Sequence, residues 1–259
     1  MFDYDMSIPL FKSHYSLGKS ILTLSNEDNA DKVAPDSIID ICKKNKIKEF
    51  FLVDDSMGGF LEAYQNSEQN NLKLIYGLRL TICADMLTKD EESLSTNSKY
   101  IIFIKNTQGY KDLIKINDLA AKDGFYYEPR IDFKHLQSLW TKNLKLCVPF
   151  YDSFIFKNIL QGKSCIPEFE FIDDVTFFLE DNNLPFDELI KKSVLEFTND
   201  GNDYPLVESQ SVFYKNKEDF KAYLTFRCIS KRTTLNKPNL EHMCSDTFCF
   251  ENWKEKNES

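Results

Sequence analysis

Short apolar runs alternate with amphipathic stretches along this chain, and the alternation predicts its elements. Glu49–Val53, Leu72–Ile75, Tyr100–Ile104, Leu144–Val148 and Val175–Leu179 have the length and the branched or aromatic content of buried strands. Between them, apolar side chains recur at helical spacing: Ile38, Ile39 and Cys42 within Ser37–Lys44, and Tyr110, Leu113, Ile114 and Leu119 in the run that ends at Ala121. Polar residues that accept a backbone N–H mark the helix starts. Asp36 is placed to cap Ser37–Lys44, Thr107 the run to Ala121, Asp132 the stretch Phe133–Leu139, and Asn216 the stretch Lys217–Cys228. The polar segments Ser25–Asp36 and Lys89–Lys99 read as loops. Strand and helix repeating without a long hairpin imply parallel pairing through right-handed crossovers. Six or seven such units favour a closed or nearly closed β/α barrel, expected as a single domain over residues 1–259. In such a barrel function gathers at the carboxyl ends of the strands, so the residues just past each strand are the candidates.

Composition narrows the class. Hydrophobic residues make up 42% and charged residues 28% of 259, the balance of a globular chain rather than of a disordered tail, a fibre or a coiled coil. The 22 Phe predict a core filled with rings, and only 8 Gly and 8 Pro argue against a many-turned all-β fold. No apolar run reaches the length of a membrane span, and the acidic start Met1-Phe2-Asp3-Tyr4-Asp5 does not resemble a signal peptide. A cytoplasmic protein with no membrane partner is expected.

Seven cysteines, at 42, 83, 147, 165, 228, 244 and 249, include no C-x-x-C pair, which predicts buried reduced thiols and no cysteine zinc site. Three histidines, His14, His135 and His242, leave any imidazole-rich metal centre short of ligands. The net charge of −9 is concentrated: eleven carboxylates lie between Pro167 and Asp203 against only Lys191 and Lys192. That stretch would repel a phosphate backbone, and it reads either as a solvated face or as a docking surface for a basic partner. Gly-rich phosphate loops, G-x-S-x-G elbows and H-E-x-x-H pairs are absent from the sequence.

Six blocks in order carry a family resemblance. They are Pro9–Leu17, Phe51–Tyr64 with its Asp54-Asp55-Ser56-Met57-Gly58, Leu74–Leu80, Ile101–Ile116, Gly124-Phe-Tyr-Tyr-Glu-Pro-Arg-Ile-Asp132, and Val207–Ile229 followed by Arg232–Leu235 and Ser245–Phe248. Together they resemble the PHP (polymerase and histidinol phosphatase) domain at the N-terminus of bacterial DNA polymerase III alpha subunits, over about residues 8–253. The resemblance implies an α/β fold, a PHP-type (β/α)7 distorted TIM-like barrel. It also implies that the chain ends where the polymerase palm would begin, so it is not expected to polymerise alone.

Active members of that family hold Mn, Zn, Fe or Mg ions on His and carboxylate side chains at the barrel mouth. Cleaving a phosphodiester needs a metal-activated water and cations to neutralise the phosphate oxygens. Carried over position by position, the opening H-x-H falls on Leu10 and Lys12, and the acidic residue a turn later on Lys19. The His of T-D-H falls on Asp55, with Asp54 matching the family Asp, and the Glu of I-G-x-E on Arg79. Further ligands fall at Lys99 or Tyr100 and near Phe150, and the Asp and His of N-D-x-H-Y become Ser211 and Phe213 beside a retained Tyr214. The pocket is expected to be metal-free, with no cofactor and no catalytic residue. Two uses of its basic groups stay open. Lys12, Lys19, Arg79 and Lys99 supply a positive field for a phosphate or nucleotide end, or they pair with Asp54 and Asp55 and plug a dead pocket.

Other candidates read as structural. His14 beside Tyr15 and Ser16 packs at a strand end. Arg130 fixes the loop after Gly124 through carboxylate or carbonyl bonds. Phe169, Phe171, Phe177 and Phe178 belong to the core. The resemblance thus implies a stand-alone, inactive scaffold in DNA replication, with a protein partner such as a polymerase, exonuclease or clamp component. A metal-dependent phosphoesterase or 3′–5′ exonuclease, and one piece of a split alpha subunit, remain as alternatives.

Overall fold

A computed structural model describes residues 7–26, 35–200, 203–235 and 245–258. The elements follow in chain order: β1 (Ile8–Phe11), α1 (Ile38–Lys44), β2 (Glu49–Asp54), α2 (Phe60–Gln69), β3 (Lys73–Cys83), β4 (Ser98–Ile104), α3 (Thr107–Lys122), β5 (Arg130–Asp132) and α4 (Phe133–Leu139). Then come β6 (Leu144–Val148), α5 (Phe154–Gln161), β7 (Val175–Leu179), α6 (Asp187–Asn199), β8 (Leu206–Val212), α7 (Phe220–Lys231) and α8 (Phe250–Glu258). The residues expected at 1–5 and 27–34, together with His242 and Cys244, lie outside the described residues.

Two compact units are distinguished. The first comprises described residues of Met1–Tyr76, Glu180–Asp187 and Glu208–Ser259. Here β1 is the middle strand of a parallel trio, with Leu10 opposite Phe51 of β2 and opposite Ser211 of β8. Every residue of β1 is buried, as expected for a strand covered on both faces. Phe11 stacks on Phe250 at 5.9 Å, and the Trp253 indole donates to the Ser7 carbonyl at 2.9 Å, so α8 is fastened across the start of β1.

The second unit, Gly77–Leu179 with Glu188–Val207, carries strands in the order β7, β6, β4, β3, β5. Uniform parallel pairing, expected from the strand–helix repetition, does not hold here: β4 runs antiparallel to both β3 and β6. The cause is local. Residues 84–97 contain one short 3-10 turn, Glu92–Thr96, and no crossover helix, so the chain turns straight back on itself. That turn also replaces part of the loop expected over Lys89–Lys99. The strand expected at Leu72–Ile75 continues to Cys83, because Gly77 extends it rather than ending it. A Cβ there would meet the Phe103 ring at 2.7 Å, so only glycine lets β4 approach this closely.

Helix starts shift by one residue in two places. Ser37, rather than Asp36, caps α1, and Asp36 instead pairs with Lys215 at 2.8 Å. Asn106, rather than Thr107, caps α3, accepting from the Gly109 N–H at 2.9 Å. Asp132 caps α4 as expected, and Asn216 opens a 3-10 turn that leads into α7. Phe169, Phe177 and Phe178 are buried, Phe169 and Phe177 in a ring cluster with Tyr100, Phe133, Phe154, Phe197 and Tyr204, while Phe171 is half-buried against Trp140. Phe169 and Phe171 lie before β7 rather than in it.

Candidate functional site: ion-paired strand ends

The end of β1 and the end of β2 meet over a compact charged group. Lys12, one residue past β1 and buried, donates from Nζ to Asp55 Oδ1 at 3.0 Å, and Lys19 reaches Asp55 Oδ2 at 2.7 Å. Asp55 therefore bridges two ammonium groups, one on each carboxylate oxygen. Asp54, fully buried at the end of β2, is satisfied differently. Its Oδ1 accepts from the Ser13 N–H and the Ser16 hydroxyl, both at 2.8 Å, and its Oδ2 from the Ser13 hydroxyl at 2.6 Å. Ser16 also accepts from the Asp55 N–H at 2.9 Å, so one serine ties the two aspartates together.

His14 is half-buried, its ring 4.4 Å from that of Tyr15, with Nδ1 in a dry spot and no hydrogen-bond partner. The Tyr15 hydroxyl donates to Glu62 Oε2 at 2.8 Å, and that bond, with burial and the Glu62 charge, raises its pKa. Leu10 is buried in the core.

Past β7, sequence reasoning missed a residue. Glu180 is buried one position beyond the strand and accepts from the Ser211 N–H at 2.9 Å, the Ser211 hydroxyl at 2.8 Å and the Asn182 amide at 3.0 Å. Burial pushes its pKa up to about 7, the Asp187 charge acts in the same direction, and the three hydrogen bonds oppose the rise. Asn182 continues into a buried polar network with Gln210 and Thr247, and Asn252 of α8 donates to Gln210 at 3.3 Å. Phe213 stacks on Phe248 at 5.3 Å and on Tyr223 at 5.8 Å.

In the second unit Arg79 of β3 donates from Nη2 to Asp152 Oδ2 at 2.7 Å and to the Tyr151 carbonyl at 3.2 Å. Lys157 reaches the other Asp152 oxygen at 3.3 Å. Lys99 of β4 pairs with Glu128 at 2.5 Å, and Phe150 is fully buried against Tyr151. Arg130 behaves as expected, through carbonyls: it is fully buried and donates to Gly124 O at 3.3 Å and Thr88 O at 3.0 Å, and to the Ser93 hydroxyl at 3.2 Å. Asp152 and Glu128, the partners of Arg79 and Lys99, and Glu180, the acceptor for Ser211, were not assigned those roles from sequence. Each lies in or next to a turn, where spacing gives no clue to the facing side chain.

Among the described residues no three His, Cys, Asp or Glu side chains are grouped to hold a metal ion. Among the described residues six cysteines are buried and free, and burial pushes the Cys83 and Cys249 thiols up to about 11, away from thiolate chemistry. No described helix is long and apolar enough to cross a membrane.

The parallel strand trio, the mixed five-stranded set and the intervening helices are those of an α/β protein of the TIM-like barrel class. The chain belongs to the PHP domain family, whose model matches residues 30–171. It is 27% identical to the DNA polymerase III subunit alpha of Aquifex aeolicus (strain VF5) over 224 residues, covering 81% of this chain and 19% of that protein. Against the same subunit of Borreliella burgdorferi it is 25% identical over 227 residues, 83% of this chain and 19% of the relative. In Chlamydia trachomatis the match is 35% over 88 residues, 33% of this chain and 7% of the relative. The chain thus spans about a fifth of the length of the first two of these curated relatives. It is a PHP domain related to the alpha subunit of DNA polymerase III.

Proposed function

We propose that this PHP domain is catalytically inactive and metal-free, and that it serves as a cytoplasmic binding and scaffolding module of the DNA replication machinery. One observation carries the reading: at the strand ends, where the family places metal ligands, this chain has cations already neutralised by its own carboxylates. Lys12 and Lys19 share Asp55, Arg79 is paired with Asp152, and Lys99 with Glu128. An ammonium or guanidinium group has donors only, so it neither ligates a metal nor accepts a proton from water. Asp54 spends its oxygens on serine hydroxyls and an amide, and Ser211 spends its hydroxyl on Glu180. Taken unit by unit, these donor-only cations and satisfied carboxylates do not fit a two-cation hydrolytic site. In the first unit the pairing of Lys12 and Lys19 with Asp55 favours internal ion pairs over capture of a phosphate. Phosphate binding would have to displace Asp55 from two lysines at once.

A second reading rests on the relatives' length. With about four-fifths of each of the first two relatives unmatched, the domain fits work beside a palm carried elsewhere, on the same or another polypeptide, as one piece of an alpha subunit. The phosphoesterase reading is tested by turnover. The full chain, incubated with Mn²⁺ and a generic phosphodiester such as bis-(p-nitrophenyl) phosphate, is expected to release product at the rate of buffer. Turnover that rises with Mn²⁺ and falls on adding a chelator overturns inactivity.

A further inference from the structure

Two loops of the second unit are fastened to a single buried guanidinium. Through its bonds to Thr88 O, Ser93 Oγ and Gly124 O, Arg130 joins the loop at 84–91 to the loop at 123–129, and it lies 5.1 Å over the Tyr126 ring. The second loop is braced twice more. Tyr126 N–H donates to Glu128 O at 3.1 Å, and the Glu128 carboxylate is held by Lys99. A Cβ at Gly124 would sit 1.9 Å from Arg130 O, so the loop leaves α3 only through a glycine.

What this scaffolding presents is apolar and aromatic. Tyr127 is 77% exposed, Leu87 61% and Phe125 50%, although each is a large side chain that folding could have buried. Tyr127 also has φ +61°, a left-handed conformation that a bulky side chain rarely adopts. Strain of this kind persists where the surroundings over-determine the backbone, and here three independent braces do so. Carboxylates line the first loop: Asp85 accepts from the Leu87 N–H at 2.9 Å and the Thr88 hydroxyl at 2.7 Å, and Asp90 from the Ser93 N–H at 2.7 Å. The Tyr126 hydroxyl has a raised pKa, first through burial, then through Tyr127, with the Glu91 and Asp90 charges acting in the same direction.

We propose that the Phe125–Tyr127 tip and Leu87 form a docking surface for a basic, apolar-studded segment of a partner protein. Aromatic faces accept arginine and lysine by cation–π contact, and carboxylates at the rim steer and neutralise them. Nucleic acid is the less suitable occupant, because a phosphate backbone would meet Asp85, Asp90 and Glu91. The inference deepens the scaffold reading by naming partner chemistry, and it rests on that reading for the expectation of a protein partner. Metal content and turnover test the scaffold reading separately, so either can fail alone.

The test is an NMR titration of the 15N-labelled full chain with three probes: a Lys/Arg/Leu peptide, its Glu-substituted counterpart and a single-stranded deoxyoligonucleotide. The basic peptide is expected to shift amides at 85–91 and 123–129, and the other two to leave them unmoved. Phe125→Ser with Tyr127→Gly is expected to weaken that binding by about tenfold. Tyr127→Gly alone is expected to leave the thermal midpoint unchanged or raised, since glycine accepts φ +61° without strain. Three outcomes overturn the proposal: shifts confined to the acidic surface within 167–203, affinity unchanged in the double variant, or the oligonucleotide occupying the tip.

Discussion

Asp55 and Glu180 are both carboxylates placed just past the end of a strand, yet the chain treats them in opposite ways. Asp55 is bracketed by two ammonium groups, at 3.0 and 2.7 Å, and stays partly accessible. Glu180 is buried and accepts from neutral donors, the Ser211 N–H and hydroxyl and the Asn182 amide. A carboxylate matched by opposite charge is a fixed ion pair. The pKa of the other is raised to about 7 by burial, which outweighs the lowering effect of its hydroxyl and amide hydrogen bonds.

The largest expected effect breaks the first member of the comparison. Asp55→Ala removes the carboxylate that bridges Lys12 and Lys19 and leaves a buried ammonium behind it, which should destabilise the fold by about 3 to 5 kcal/mol. The midpoint of urea unfolding measures it, and a loss below about 1 kcal/mol would mean that the bridge is ornamental. The second effect sharpens the contrast through pH. Glu180 has a folded pKa of about 7 against a reference of 4.5, so the folded state binds its proton more tightly than the unfolded state does. Stability from this group is fully present below about 4.5 and is lost as pH rises through about 7, an effect of about 3 kcal/mol in total. Glu180→Gln should flatten the slope of unfolding free energy between those values, and an unchanged slope would assign the titration to another group. The smallest effect is Lys19→Ala. Lys19 is about a third exposed, with its side chain at 32%, so its loss should cost about 0.5 kcal/mol. A cost equal to that of Asp55→Ala would show that the two lysines act as one unit.

Much of this architecture was legible from periodicity. The apolar blocks at 49–53, 144–148 and 175–179 are strands, and the amphipathic stretches after Ser37, Asn106 and Asp132 are helices, because burial on one or two faces writes itself into spacing. The antiparallel turn into β4 was not legible. It depends on what residues 84–97 fail to form, and on Gly77 meeting Phe103. The basic residues Lys12, Lys19, Arg79 and Lys99 could be located along the sequence, but their partners could not. Asp152 and Glu128 sit in turns, with Asp152 itself at φ +60°, and the pairing is set by tertiary geometry. Glu180 could have been found, since it directly follows the buried run Val175–Leu179. It was obscured by the ten other carboxylates between Pro167 and Asp203.

The central claim, that these strand ends hold ion pairs in place of metal ions, is tested most directly by metal stoichiometry. The full chain, purified without chelator and then dialysed against Mn²⁺, Zn²⁺ and Fe²⁺ in turn, is measured by inductively coupled plasma mass spectrometry. Metal far below one equivalent, unchanged in Lys12→Ala, is the predicted result. One or more equivalents retained by the unaltered chain and lost in Asp55→Asn would contradict it.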